Sequence, residues 1–296
     1  MRRARRRATV LSSIWVFAVL QAPSLQARQW PQWRGPSASG VSPERNLPTR
    51  WGDSDNVAWK AAIRGLGISS PIVSGDLVIV TSQAGSGEVR PGPRLVQGGN
   101  PAEAGERALG AGPAGGQGKV VFLVTAFDRR TGGKRWEYEL AAEGGLTPVH
   151  EKHNLASPSP VADDERVYAW FGTGQVAAID TSGTLVSKKH LGAEYGPFVI
   201  NWGHGSSPVV HKGQLLLLCY HEKSSYLLAL DAKTGAVRWK SDAPAGVTSY
   251  STPLVVESGG KTEIVVNSSA GISGHDFATG ARTWYFDEPN RFPIPT

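Results

Sequence analysis

Apolar residues recur along this chain in short runs rather than at helical spacing. Leu77–Val80, Val167–Trp170, Leu215–Leu218 and Ile264–Val266 are β-branched, aromatic or leucine-rich stretches bounded by Gly, Asp or Lys, the pattern of buried strands. A Ser/Thr-Pro followed by an apolar run stands just before each: Ser70-Pro71, Ser159-Pro160, Ser207-Pro208 and Thr252-Pro253. An apolar pair, an Asp and a Thr/Ser-Gly turn follow each, at Ala126–Gly132, Ala178–Gly183, Ala229–Gly235 and His275–Gly280. In such a turn Asp and Thr bond their own backbone and Gly supplies the positive φ. A Trp stands four residues after the Gly in three units, as Trp136, Trp239 and Trp284. The turn aspartates are 52, 51 and 45 residues apart, so each unit is one supersecondary repeat. Each predicts four strands: Pro-initiated, central, Asp-ending and Trp-bearing. The expected fold is all-β, a β-propeller of four-stranded antiparallel blades with about four blades present. No helical periodicity is evident after Leu20.

Two departures change the picture. The second unit is one residue shorter between Asp180 and Gly183, and Ser187 stands where the Trp belongs. The first unit is interrupted at 84–118, where 35 residues contain 11 Gly, 4 Pro and 6 Ala. Such a composition buries too little to order itself, so it reads as a mobile loop between two strands of the first blade, a lid or partner-binding arm being the alternative.

Composition and charge then narrow the class. With 296 residues and 19% charged residues the chain is neither disordered nor polytopic. The net charge of +6 is concentrated in Arg2, Arg3, Arg5, Arg6 and Arg7. Ala8–Leu20 is mostly apolar and a short polar stretch ends at Ala27, so residues 1–27 read as a signal peptide. Twin-arginine export and an uncleaved anchor are the alternatives. Cleavage after Ala27 leaves 26 Lys and Arg against 25 Asp and Glu, which gives no reason to expect a nucleic-acid partner. The mature region, 28–296, is expected to be soluble in the periplasm or outside the cell, with no stable membrane insertion. The single cysteine, Cys219, excludes an intramolecular disulfide, a Cys-based zinc site and an iron–sulfur cluster. Within an apolar run it reads as a buried small hydrophobe.

The Ala-x-Asp-x-x-Thr-Gly-x-x-x-Trp pattern, complete at Ala126–Trp136 and Ala229–Trp239, resembles the tryptophan-docking repeat of the quinoprotein (PQQ-like) β-propeller family, a WD40-like class of blade. The resemblance extends over about residues 30–296. It implies that Trp136, Trp239 and Trp284 pack against neighbouring blades, which accounts for 10 Trp beside 1 Met. Propellers of that family have seven or eight blades, so this chain is expected to be about half a ring, a fragment; a self-closed four-blade ring is the alternative. The next Ser/Thr-Pro would fall near residue 297 or 298. Asn56–Lys60 resembles the outer, Trp-bearing strand of a last blade. Some members of the family are dehydrogenases carrying pyrroloquinoline quinone (PQQ) with calcium, and others are cofactor-free scaffolds such as the propeller subunit of the outer-membrane assembly machine. The quinone enzymes commonly have an adjacent cysteine pair, a calcium site and a catalytic Asp. One cysteine rules out the pair here, and no calcium or catalytic pattern is evident.

In a propeller the loops entering the first strand of each blade converge at the central channel. These are Gly67-Ile68, His150–Asn154, Asn201–Gly205 and Ser249-Tyr250. Candidate ligand-binding residues are therefore His150, His153, Asn154, Trp202, His204 and Tyr250. The bland alternative is that they cap loop backbone. His150, His153 and His204 are weak metal candidates; His211, His221 and His275 read as structural. No catalytic residue is assigned. The favoured function is an exported non-catalytic propeller that binds a protein partner or small ligand through its loop face. The alternative is a PQQ-dependent oxidoreductase with part of its site beyond this sequence.

Overall fold

A computed structural model describes residues 29–85, 89–90, 119–146, 149–150, 153–200, 202–290 and 293–294. The expected signal peptide at 1–27, and nearly all of the expected loop at 84–118, lie outside the described residues.

The first blade contains β1 (Ile72–Ser74) and β2 (Leu77–Ala84). A two-residue β3 (Val89–Arg90) follows, then β4 (Val121–Asp128) and β5 (Lys134–Ala141) complete the blade in the order β1-β2-β4-β5. β3 pairs in parallel with β6 (Val149–His150) ahead of the second blade. That blade is β7 (Val161–Ala162), β8 (Arg166–Trp170), β9 (Gln175–Asp180) and β10 (Leu185–His190). The five-residue helix α1 (Leu191–Tyr195) comes next, a departure from the expected absence of helix. The third blade is β11 (Val209–His211), β12 (Gln214–Tyr220), β13 (Ser225–Asp231) and β14 (Val237–Ala243); the fourth is β15 (Leu254–Ser258), β16 (Lys261–Ser268), β17 (Gly271–Asp276) and β18 (Arg282–Phe286). Each is an antiparallel meander, so the described chain forms four blades of a β-propeller. The inner strands β1, β7 and β11 adjoin one another.

The core lies between blades rather than within one. One apolar cluster joins blades one and two through Phe122, Val124, Phe171 and Ile179. A second joins two and three through Tyr168, Trp170, Leu217 and Tyr226. A third joins three and four through Leu216, Leu227, Ile264 and Val266. A sheet buried on both faces reads as an unbroken apolar run, as Leu215–Leu218 does.

The turn motif has a physical reading in each blade. Oδ1 of Asp128 accepts the backbone N–H groups of Arg130 and Thr131 at 3.0 and 2.9 Å and the Thr131 hydroxyl at 2.9 Å. Asp231 and Asp276 repeat this with Thr234 and Thr279. In the shortened second unit Asp180 uses Ser182 and Thr184 instead. These donors favour the carboxylate, so all four aspartates titrate below their usual range. Ala126 and Ala229 stand directly opposite Trp136 and Trp239 across the sheet, small enough to leave the ring its space.

Candidate functional site

The tryptophans meet the next blade in one recurrent way. Trp136 lies over Gly183, and its Nε1–H donates to the Thr181 carbonyl at 3.0 Å. Trp239 lies over Gly280 and donates to the Phe277 carbonyl at 3.2 Å. Trp59, from the Asn56–Lys60 segment, lies over Gly132 and donates to the Arg129 carbonyl at 2.9 Å. In each case the acceptor is the residue after the turn Asp, and a Cβ on the glycine would collide with the ring. Trp284 meets no such turn among the described residues. It lies against Gly274 of its own blade and is 39% exposed, beside Phe286 at 57%.

The third blade's turn is held differently. Ser187 stands near Gly235, the Arg166 guanidinium donates to the Ala232 carbonyl at 3.1 Å, and the Tyr168 hydroxyl packs 3.1 Å from that carbonyl while donating to Asp163 Oδ2 at 2.7 Å. A cavity of about 80 Å³ remains where an indole would lie, walled by Tyr168, Val176, Ser187, Leu215 and Gly235.

The Ser/Thr-Pro residues form a ladder around the channel. Ser70 N–H donates to Ser159 Oγ at 2.9 Å, Ser159 N–H to Ser207 Oγ at 3.0 Å, and Ser207 N–H to Thr252 Oγ1 at 3.1 Å. Each hydroxyl thus closes a bond from the equivalent residue of the preceding blade. Among the described residues none of these three hydroxyls has an acceptor for its own proton.

Above that ladder is a cavity of about 280 Å³, floored by Ser159, Ser207 and Thr252. Its walls include His153, Trp202 and Tyr250 from three of the expected loops, and Ile68 from the fourth. Trp33 closes one side and Ile294 lies at the rim. No Asp, Glu, Lys or Arg lines it among the described residues.

Trp33 belongs to an N-terminal strap that crosses the inner strands. Trp30 exchanges two backbone hydrogen bonds with Val73, each 2.9 Å, and the Pro31 carbonyl accepts Ala162 N–H at 2.8 Å. Trp33 and Thr252 also border a second lobe of about 240 Å³ beside Arg34, Pro208, Leu254 and Asn267. Sequence reasoning missed Trp33; the signal was an aromatic pair, Trp30 and Trp33, in an otherwise polar stretch. It also missed the Ser/Thr-Pro hydroxyls as site residues.

The sequence-derived candidates divide in three ways. His153, Trp202 and Tyr250 reach the cavity. Ser157 Oγ lies 2.6 Å from the Asn154 carbonyl, to which it donates, and 3.0 Å from His153 Nδ1, a contact whose direction follows the ring's tautomer. Burial raises the Tyr250 hydroxyl, while the backbone N–H of Trp202 works against it by favouring the phenolate. Asn154 does not reach the cavity: its amide donates to the Leu66 carbonyl at 3.2 Å and accepts Ala156 N–H at 2.9 Å, bracing the loop. His204 points the other way, into the seam between blades two and three. Gly203 lies between it and Trp202 at φ 96°, a left-handed turn that sends the two side chains to opposite sides.

His204 is 2% exposed, packed 4.1 Å from the Trp170 ring and 5.4 Å from Phe198 by ring centroids. Neither ring nitrogen has a partner of good hydrogen-bond geometry. Burial pushes the ring down to about 3, His221 and His153 adding to the shift, against a weak favouring contact from the Ser206 backbone. The backbone of His150 pairs with Arg90, and its side chain lies outside the described residues. No group of three His, Cys, Asp or Glu among the described residues has metal-binding proximity. Cys219 is buried and burial pushes its thiol up, so it sits as a small hydrophobe rather than a nucleophile.

Quinone chemistry of the kind the fold suggests calls for carboxylates on a metal and a carboxylate base. The described lining of the cavity supplies hydroxyls, an imidazole and aromatic rings, and no carboxylate, so these residues do not fit PQQ with calcium.

The chain matches, over residues 49–184 and 172–293, the family profile described as outer membrane protein assembly factor BamB. Among solved structures, quinohemoprotein alcohol dehydrogenase from Comamonas testosteroni is similar at 15% identity and a TM-score of 0.54, over 89% of this chain and 42% of that one. A europium-containing methanol dehydrogenase is similar at 13% identity and a TM-score of 0.54, over 89% of this chain and 49% of that one. BamB from Moraxella catarrhalis is similar at 16% identity and a TM-score of 0.46, over 77% of this chain and 51% of that one. The chain thus spans about half the length, or less, of these structures, and at such identities the likeness to them is one of fold. No curated protein sequence matches this chain.

Proposed function

The chain belongs to the family described as outer membrane protein assembly factor BamB, and on that footing we propose that it is an exported, non-catalytic β-propeller that binds a protein partner through its loop face. The observation that carries this reading is the channel-mouth cavity, on which aromatic and hydroxyl groups from several loops converge. His153, Trp202 and Tyr250 are the contact residues, and Asn154 braces their loop.

Export rests on residues 1–27, whose basic start and apolar middle have the form of a secretory signal. Among the described residues no helix is long and apolar enough to cross a membrane.

Purified protein mixed with PQQ and calcium tests the reading against its enzymatic alternative. The expected result is no retained quinone absorbance after desalting and no dye-linked alcohol oxidation. Stoichiometric quinone with turnover would overturn it.

A further inference from the structure

Three hydroxyls of the cavity floor have an unusual hydrogen-bond balance. Ser159, Ser207 and Thr252 each accept one backbone N–H of the ladder and donate to nothing among the described residues. Ser159 and Ser207 are themselves almost wholly buried. A buried donor without an acceptor is costly, so an occupant that displaces water from this cavity must bring acceptors. Neutral acceptors suit the lining, since no Lys or Arg is among the described residues that line the cavity to pair with a carboxylate.

The walls impose a second requirement. Trp33, Trp202, Tyr250 and the His153 imidazole all line the cavity, and such a concentration of rings favours an aromatic guest. Size supplies a third. At about 280 Å³ the cavity lies just below the range of about 300–1,000 Å³ usual for drug-sized ligands, and suits one large side chain with its flanking peptide groups.

Resting on the binding reading above, we propose that this cavity captures one aromatic side chain of an uncharged, extended peptide segment, whose backbone carbonyls accept from Ser159, Ser207 and Thr252. Trp202 and Tyr250 grip the ring. Trp33 sets the depth of the pocket from the strap, so the strap is part of the site.

The test uses the full chain and capped amino acids as probes. N-acetyl-phenylalaninamide carries the ring and two neutral carbonyls. N-acetyl-leucinamide lacks the ring, and N-acetyl-phenylalanine replaces the second amide by a carboxylate. Binding is read by saturation-transfer NMR and by tryptophan fluorescence. The phenylalanine amide is expected to bind at least tenfold more tightly than either comparator. Trp202→Ala and Tyr250→Ala are each expected to weaken it at least tenfold while near-ultraviolet circular dichroism confirms folding; Trp202→Leu serves if the alanine variant does not fold. No binding of the phenylalanine amide, equal binding of the carboxylate, or unchanged binding by the variants would overturn the proposal. Such a result would leave the scaffold reading intact, because that reading fails only on quinone retention and turnover.

Discussion

The seams on either side of the second blade do the same job with different chemistry. Between blades one and two, a single indole covers the Gly183 turn and also bonds its backbone. The interior of that seam is apolar, with Phe122 and Phe171 stacked at 4.3 Å and 4°. Between blades two and three the two tasks are separated. Arg166 bonds the turn, Ser187 leaves a cavity beside it, and packing passes to an inner cluster of Trp170, Phe198 and Tyr226. That cluster also encloses His204 and His221, whose Nδ1 has no partner either. A docking tryptophan lets one ring both cover a turn and bond it; without it the two tasks fall to different residues.

Acid should separate the two seams most strongly. Burial pushes His204 down to about 3 and His221 to about 4, while an unfolded histidine titrates near 6.5. Below that value the unfolded chain takes up protons that the folded chain refuses, so stability falls as pH drops. The slope is about 1.4 kcal/mol per pH unit for each histidine until its folded value is reached. Urea midpoints measured between pH 7 and pH 4.5 should show this loss. At pH 5 hydrogen exchange should quicken in β13 before β4. Equal rates in the two strands would contradict the comparison.

Removing an indole ranks next. Trp136→Ala should cost about 3 kcal/mol, the usual range for emptying an aromatic site. Trp284→Ala, at a half-exposed ring with no turn beneath it, should cost well under half as much in the same urea titration. The smallest effect belongs to the exchanged position. Ser187→Trp should shift stability by no more than about 1 kcal/mol, because the Ala232 carbonyl already accepts from Arg166. In an Arg166→Met background, with that donor gone, the same substitution should become clearly stabilising. Additivity of the two changes would show that the indole and the guanidinium do not share an acceptor.

The blades were legible because each strand signal is local. Apolar run, Asp, Thr, Gly and Trp stand within a few residues of one another, and their geometry follows from turn chemistry and strand alternation. The cavity was legible only in part. His153, Trp202 and Tyr250 could be placed from the convergence of loops, yet His204 could not, because one left-handed residue at Gly203 reverses its direction. Asn154 carried the right chemistry and spent it on Leu66 and Ala156. The Ser/Thr-Pro motif was visible four times, while its purpose was hidden: three of the four hydroxyls bond an amide 45 to 89 residues away. Helix α1 escaped because five residues are too few to establish a period.

The serine–threonine ladder has a direction. Every bond runs from the amide of one blade to the hydroxyl of the next in sequence, and the indoles of Trp136 and Trp239 reach forward in the same sense. In any folding that proceeds from the N-terminal blade onward, then, each newly formed blade carries an unpaired amide, and a tryptophan-bearing blade an uncovered ring, until its successor has folded against it. Completion trails folding by one repeat, like a zip fastener. A delay at any repeat leaves the preceding one as the part most open to proteases and chaperones.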